Sequence, residues 1–405
     1  MDAFAPVKNS HKPRLLMIIP GPLWEIKTSL RKRAEGLSRD YRGAIVTAMP
    51  VAGEVPLGGF TLMALRFRRF KPWMNLKFMA YGCRLALCAR FLGRRQGRGW
   101  DLVVTYDPLR SGLIGLLIAR LSGARFCPEV NGVYDSYANY LDDPPGIMLW
   151  IKRRLYPRLI AFTLTRADGI KTLFPGQLDR FCRVLKTPII EPFFDYVDLE
   201  PFRDLGEEKV VLFVGYPFRL KGVDILIDAF KRVSPSHPDW TLKILGWYPD
   251  DRELRAAMAG HPRILHHPPV YSHEMPEHMG RCGIFVLPSR SEAMGRVLLE
   301  AMASGKPRIG SNLEGIPTVI NDGVDGLLFR PGDADDLAKK LERLMGDPGL
   351  RKSLGEAGRL RASREFGSEE YLSRLAGFYG RVLEAERKPA VAAGHRVEGA
   401  YGPAA

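Results

Sequence analysis

What the chain lacks narrows its class before any motif is read. No run approaches the roughly 18 uninterrupted apolar residues of a membrane span. The most apolar stretch, LIGLLIARL at 113–121, is short and broken by Arg120. Met1 to Pro13 has no apolar signal-peptide core, so the protein is expected in the cytosol, peripheral on the inner face of the cell membrane. Cysteine is scarce: five, at 83, 88, 127, 182 and 282, with no CxxC pair. Reduced, buried thiols are expected rather than a disulfide framework. No GxGxxG follows the first apolar strand, which removes the usual support for a dinucleotide site. Five of the eight histidines crowd between His261 and His278, but their spacing fits no standard site, and no metal is expected. Acidic residues are missing from Val55 to Trp100, a stretch with ten basic ones.

That last absence is part of a wider asymmetry. Residues 1–200 hold 31 Lys and Arg against 17 Asp and Glu, while the other 205 hold 29 against 28. The positive excess therefore needs an explanation local to the first half. In RFRRFKPWMNLKFMAYGCRLALCARFLGRR (66–95) cations interleave with aromatics. In a helical frame Trp73, Leu76, Tyr81 and Leu85 would line an apolar face rimmed by charge. LWIKRRLYPRLIAF at 149–162 has the same character. Three readings are open. The segments 66–98 and 149–162 could be ordinary solvated helix faces, or could attach to anionic lipid headgroups. Nucleic acid is the third, disfavoured because no recognition module accompanies the charge.

Short apolar runs alternate with helix-like segments along the chain. RLLMIIP (14–20), GAIVTAM (43–49), DLVVTY (101–106) and RFCPEV (125–130) form one series. VVLFV (210–214), WTLKILG (240–246), PRILHH (262–267) and IFVL (284–287) form another. This predicts an α/β fold of doubly wound parallel sheets with ligands at the carboxyl ends of the strands. A chain of 405 residues suits two domains. We expect an acceptor-binding, membrane-facing domain over 1–203 and a nucleotide-sugar domain over 204–367. A helix at 368–388 and a disordered tail at 389–405 complete the chain.

Residues 284–332 say most about function. IFVL reads as a buried strand and Ser291 as the N-cap of a helix over Ala293–Ala303, stopped by Gly305 and Pro307. Glu292 stands at its mouth and Glu300 inside it. In a helical frame eight positions span about 12 Å on nearly one face, which suits two ends of an extended, hydroxyl-rich ligand. The amides of Ala293, Met294, Gly295 and Arg296 would open a helix N-terminus, a favourable place for a diphosphate. Glu300, inside VLLEAMA, would be costly without a partner.

The string continues through GKP, the Gly315 turn and NDGVDGLLFRPGD. It resembles the E-x7-E signature of retaining family-4 glycosyltransferases. The resemblance implies the GT-B fold, two Rossmann-like domains facing a central cleft. It places Glu292 by the donor sugar and Glu300 on the nucleotide ribose. VGYPFRLKG (214–222) resembles the family's diphosphate loop, with Lys221–Gly222 in register. Tyr216 fills the usual Arg position, and Arg219 is the substitute cation. Gly215 falls at the turn of that loop and Gly246 beside the nucleotide base. Asn131, in CPEVNGVYD, stands where relatives often carry His, and can hydrogen-bond but not be charged. Gly21 and Glu129 are acceptor-side candidates.

The implied activity is a retaining, metal-independent transfer from a nucleotide-diphosphate sugar, with no other cofactor. The acceptor would be lipid-linked or a glycan at the inner membrane face, in cell-surface polysaccharide or glycolipid biosynthesis. Two alternatives stand beside it. One is an epimerase or phosphorylase on the same fold, against which the full E-x7-E string and the lack of a pyridoxal-phosphate lysine motif argue. The other is a non-catalytic nucleotide-binding, membrane-associated partner of an assembly pathway.

Overall fold

The computed structural model describes residues 12–19, 23, 26, 28–66, 80, 99–134, 136–185, 189–248 and 250–386. Its first sheet contains β1 (Arg14–Ile18), β2 (Arg42–Met49), β3 (Gly53–Leu57), β4 (Phe60–Arg66), β5 (Leu102–Thr105) and β6 (Arg125–Pro128). Their order is β3-β4-β2-β1-β5-β6. Every pairing is parallel except the β3–β4 hairpin. Along β1, Leu15 and Met17 join one apolar cluster and Leu16 and Ile18 the other. Period-two alternation thus feeds cores on both faces, as a helix-covered parallel sheet requires. Helices α1 (Thr28–Leu37), α2 (Arg110–Ser122) and α3 (Ile147–Leu164) belong to this half. Two short strands, β7 (Gly169–Thr172) and β8 (Ile189–Pro192), pair in parallel. A bridge between Glu129 and Lys171 ties them to the end of β6.

The second sheet is parallel throughout. It holds β9 (Val210–Val214), β10 (Thr241–Leu245), β11 (Ile264–His267), β12 (Ile284–Leu287), β13 (Arg308–Ser311) and β14 (Leu327–Phe329) in the order β11-β10-β9-β12-β13-β14. Its helices are α4 (Val223–Val233), α5 (Arg252–Met258), α6 (Met275–Arg281), α7 (Arg296–Ala303), α8 (Ile316–Val319), α9 (Ala334–Gly346) and α10 (Pro348–Glu365). Sequence order reverses between β9 and β12, the switch point at whose carboxyl ends open α/β sheets form their ligand crevice. The last helix, α11 (Ser368–Glu384), sets Tyr371, Leu375, Phe378, Tyr379 and Val382 into the cluster that holds Leu15 and Met17. It completes the core of the first domain.

Three features depart from the sequence expectations. The β3–β4 hairpin was not foreseen; its turn is the Gly58–Gly59 pair, with Gly58 at φ 62°, a local signal for a tight hairpin. Helix α10 was not foreseen either, because its polar and apolar residues show little segregation. Helix α7 begins at Arg296, three residues after the expected Ala293, because Gly295 takes a left-handed φ of 68° at its N-cap. The basic segment 66–98 lies outside the described residues apart from Arg66 and Ala80. Among the described residues no helix is long and apolar enough to cross a membrane.

Candidate active site

The reversal between β9 and β12 sets two loops side by side. Residues 215–222 leave β9, and residues 288–295 leave β12. Gly222 packs so tightly that a Cβ there would lie 1.9 Å from the carbonyl oxygen of Pro288; its left-handed φ of 67° also favours glycine. This close approach brings Lys221 Nζ to 2.6 Å from Glu292 Oε2. Both side chains are partly exposed, at 20% and 16%. The pair is neither sealed in the core nor adrift in solvent, which leaves each charge open to exchange for a ligand's.

Arg290 braces the two loops. It donates bidentately to Asp224 at 2.7 and 2.8 Å and to the carbonyl of Arg219 at 2.6 Å. Its own backbone N–H donates to the carbonyl of Leu220 at 2.8 Å. No motif marks it in the sequence. Because α7 starts late, Glu292 stands in an irregular turn and only Glu300 lies on the helix, where it is partly buried. The 12 Å helical estimate therefore does not apply to this pair. For the same reason Ala293 and Met294 are buried turn residues rather than the first turn of a helix. Gly295 has a local structural cause: a Cβ there would lie 2.9 Å from Leu287 and from Leu298.

Arg296 is exposed and forms no hydrogen bond or ion pair among the described residues. Its charge acts on Tyr106 and Asp195, at the first domain and the connecting segment. Arg219 is turned elsewhere: its guanidinium pairs with Glu253 at 3.0 and 3.1 Å. The backbone N–H groups of Arg219 and Leu220 donate to the two carboxylate oxygens of Asp142, each at 2.9 Å. Asp142 precedes α3, so the first domain grips the lysine loop of the second.

Gly215 and Gly246 meet at the ends of β9 and β10. A Cβ on Gly246 would lie 2.4 Å from the Gly215 carbonyl oxygen, and Tyr248 donates its hydroxyl to that same oxygen at 2.9 Å. Tyr216 and Trp247 sit beside them with ring centres 5.5 Å apart. Both are exposed.

On the first domain, Asn131 follows β6. Its Nδ2 donates to the carbonyl of Tyr106 at 3.3 Å, while its buried Oδ1 has no partner among the described residues. An unsatisfied buried acceptor of this kind suits a ligand hydroxyl. Buried Gln177 holds the turn, donating to the carbonyls of Val130 and Gly132 at 2.9 and 3.1 Å. Nothing in the sequence singled out Gln177. Asp107 serves the fold, since its carboxylate accepts from the backbone of Leu109, Arg110 and Ser111 at the start of α2.

Glu129 corrects an expectation. It is fully buried and accepts two bonds from Arg33, at 2.6 and 3.1 Å, and one from the Tyr379 hydroxyl at 2.6 Å. Arg33 also donates to the hydroxyls of Tyr371 and Tyr379. Burial opposes the guanidinium charge, but Glu129 holds its pKa well above the usual value. A carboxylate so enclosed fastens α1, β6 and α11 together and is not available to an acceptor. Gly21 lies outside the described residues. The histidine-rich stretch assembles no cluster of three or more metal-ligating side chains among the described residues.

The architecture and its switch-point crevice are those of the GT-B class, and solved structures align with nearly the whole chain. Sucrose-phosphate synthase of Thermosynechococcus elongatus matches at TM-score 0.72 and 18% identity, covering 91% of this chain and 99% of that one. Anabaena HepE in complex with UDP-glucose matches at 0.68 and 14%, covering 90% and 99%. Within that class, residues 200–361 match the sequence model of glycosyl transferases group 1, the stretch that carries Lys221, Glu292 and Glu300. An uncharacterised glycosyltransferase of Methanocaldococcus jannaschii is 29% identical over 290 residues, covering 70% of this chain and 76% of its own. A D-inositol 3-phosphate glycosyltransferase of an Arthrobacter species is 36% identical over 159 residues, 38% of either chain. The chain thus spans less than half the length of that second relative.

Proposed function

We propose that the protein is a retaining glycosyltransferase that moves a sugar from a nucleotide-diphosphate sugar to a lipid-linked or glycan acceptor at the inner membrane face. Cell-surface polysaccharide or glycolipid biosynthesis is the corresponding setting. The observation that carries this reading is the partly exposed Lys221–Glu292 pair, 2.6 Å across the switch point, in the segment that matches the group 1 model. A departing diphosphate gathers negative charge on its oxygens, and a lysine ammonium held at the loop stabilises that charge. Glu292 faces the sugar and Glu300 the ribose.

The bond from the anomeric carbon to the phosphate oxygen breaks, and a bond from that carbon to the acceptor oxygen forms on the same face. The acceptor proton passes to the leaving phosphate oxygen, so no protein base is needed, and the lysine supplies the positive charge that a metal would otherwise bring. The unpartnered Oδ1 of Asn131 accepts a hydrogen bond from a sugar hydroxyl.

Helix α3 supports the membrane part of the reading. Ile147, Met148 and Trp150 near its start are 72%, 63% and 58% exposed, next to Lys152, Arg153 and Arg154. Apolar tips beside cations suit an anionic headgroup layer.

Thermal unfolding in the presence of UDP, GDP, ADP, TDP or CMP, without metal and then with magnesium, tests the donor site. A clear stabilisation by one nucleoside diphosphate without metal is expected. Stabilisation by none of them would overturn the reading.

A further inference from the structure

Between β12 and α7 the chain runs through eight residues, 288–295, without regular hydrogen bonding of its own. A functional side chain carried on such a segment is placed only as well as its outside contacts allow. At the front, Arg290 supplies those contacts through Arg219, Leu220 and Asp224. At the back they come from one residue pair, Glu314 and Gly315.

Glu314 accepts the backbone N–H of Glu292 at 2.6 Å with Oε2. The same carboxylate accepts the Ser291 hydroxyl at 2.8 and 3.1 Å. Gly315 then donates its N–H to the carbonyl of Glu292 at 3.2 Å. Both backbone groups of Glu292 are therefore fixed by two adjacent residues from a distant part of the chain. A Cβ on Gly315 would lie 1.7 Å from the carbonyl oxygen of Ala293, so this contact leaves no slack.

Glu314 also adopts a left-handed φ of 48°, a conformation that glycine takes without cost and other L-residues do not. On backbone conformation alone glycine would serve better at this position. The chain instead carries a carboxylate there and directs it onto the residue opposite Lys221. Such strain held at a site where the side chain has a specific target is a sign of use.

We propose that Glu314 is a positioning residue, whose carboxylate fixes the turn of Ser291 to Ala293 so that Glu292 faces Lys221 and the donor. This rests on the donor-site reading given above. Its own charge is taken up by the N–H and O–H that it accepts, so it adds order to the site rather than another charge facing the ligand.

The test uses the full chain with Glu314→Gly and Glu314→Gln. Three quantities are read: unfolding temperature, hydrogen exchange of the peptide holding Glu292, and acceptor-free release of nucleoside diphosphate from the nucleotide sugar that the wild type uses. In Glu314→Gly the relief of the strained φ offsets the lost hydrogen bonds from Ser291 and Glu292, so the unfolding temperature should stay within about 5 °C of wild type. Its Glu292 amide should exchange faster, and its kcat should fall about 100-fold with KM little changed, the scale of loss when a reacting group is misplaced by about 1 Å. Glu314→Gln retains an accepting oxygen and should stay within about tenfold of wild type. Wild-type kcat and exchange in Glu314→Gly would overturn the proposal. So would a loss of kcat together with a larger fall in unfolding temperature and faster exchange throughout the protein, which marks a merely structural residue. A wild type that neither binds nor releases any nucleotide would instead overturn the donor-site reading; the exchange measurement, which needs no ligand, still separates the two.

Discussion

Two glutamates make ion pairs of equal length, yet their surroundings give them opposite uses. Glu129 meets Arg33 at 2.6 Å where neither is more than 4% exposed; Glu292 meets Lys221 at 2.6 Å with both partly open to solvent. Removing one member of a buried pair strands the other in a low-dielectric interior, at a cost of about 3–5 kcal/mol. Glu129→Ala should therefore lower stability by that amount in urea unfolding, while the milder Glu129→Gln keeps the nucleotide-induced stabilisation. Lys221→Ala should leave unfolding nearly unchanged and lower turnover by about 10²–10³, as loss of one donor to a developing anion does. The sequence made Lys221, Glu292 and Glu300 legible because each lies in a contiguous string. It could not separate Glu129 from them, because its partners Arg33 and Tyr379 come from both ends of the chain. Gln177 and Glu314 were hidden for the same reason: each acts through backbone groups that only folding brings near.

Among elements, strands built on apolar runs were readable, and the edge strand β3 was not. In β5 and β12 every residue is buried, so composition alone marks them. In β3, at the sheet edge, four of five residues are at least partly open, and no run of apolar residues announces it. Helix α3 shows a different limit. Its sequence displays the interleaved cations and aromatics, but which of them face outward depends on how it docks. Arg153 lies over Tyr137 at 4.4 Å and Arg166 over Phe162 at 3.8 Å, while Trp150 stays exposed. Replacing Trp150 by Ala and Arg153 and Arg154 by Glu should weaken sedimentation with vesicles containing anionic lipid, and added salt should weaken the wild type likewise. Equal binding to neutral and anionic vesicles would count against a charged membrane surface as the partner.

At the scale of the molecule, the segment joining the sheets is held by charge. Lys171, with no exposed surface, reaches Asp195 at 2.6 Å. Burial would raise the Asp195 pKa, but Lys171 and Arg33 outweigh it and hold the carboxyl below the usual range. A carboxyl with a depressed folded-state pKa contributes stability above its unfolded value, near about 3.9. That contribution fades as pH falls through the folded value. Stability measured from about pH 5 downward should drop, and Asp195→Asn should be less stable near neutrality with a flatter acid limb. An unchanged acid limb in that variant would assign the loss to other carboxylates. The two-sheet plan was readable from the alternation of elements, but the Lys171–Asp195 pair was not, because Asp195 lies in a stretch without regular structure.

The placement of α11 has a consequence for how such proteins can be recombined. Because this helix fills the core beside Leu15 and Met17, the first domain begins and ends the described chain, and the second domain is threaded into it like a cassette. A hybrid made by joining the front of one protein to the back of another would separate α11 from its seat and leave Phe378 and Val382, both fully buried, to match a foreign surface. A workable exchange would lift out residues 204–367 and seat another cassette between the same two cut points, leaving the final helix with its original host.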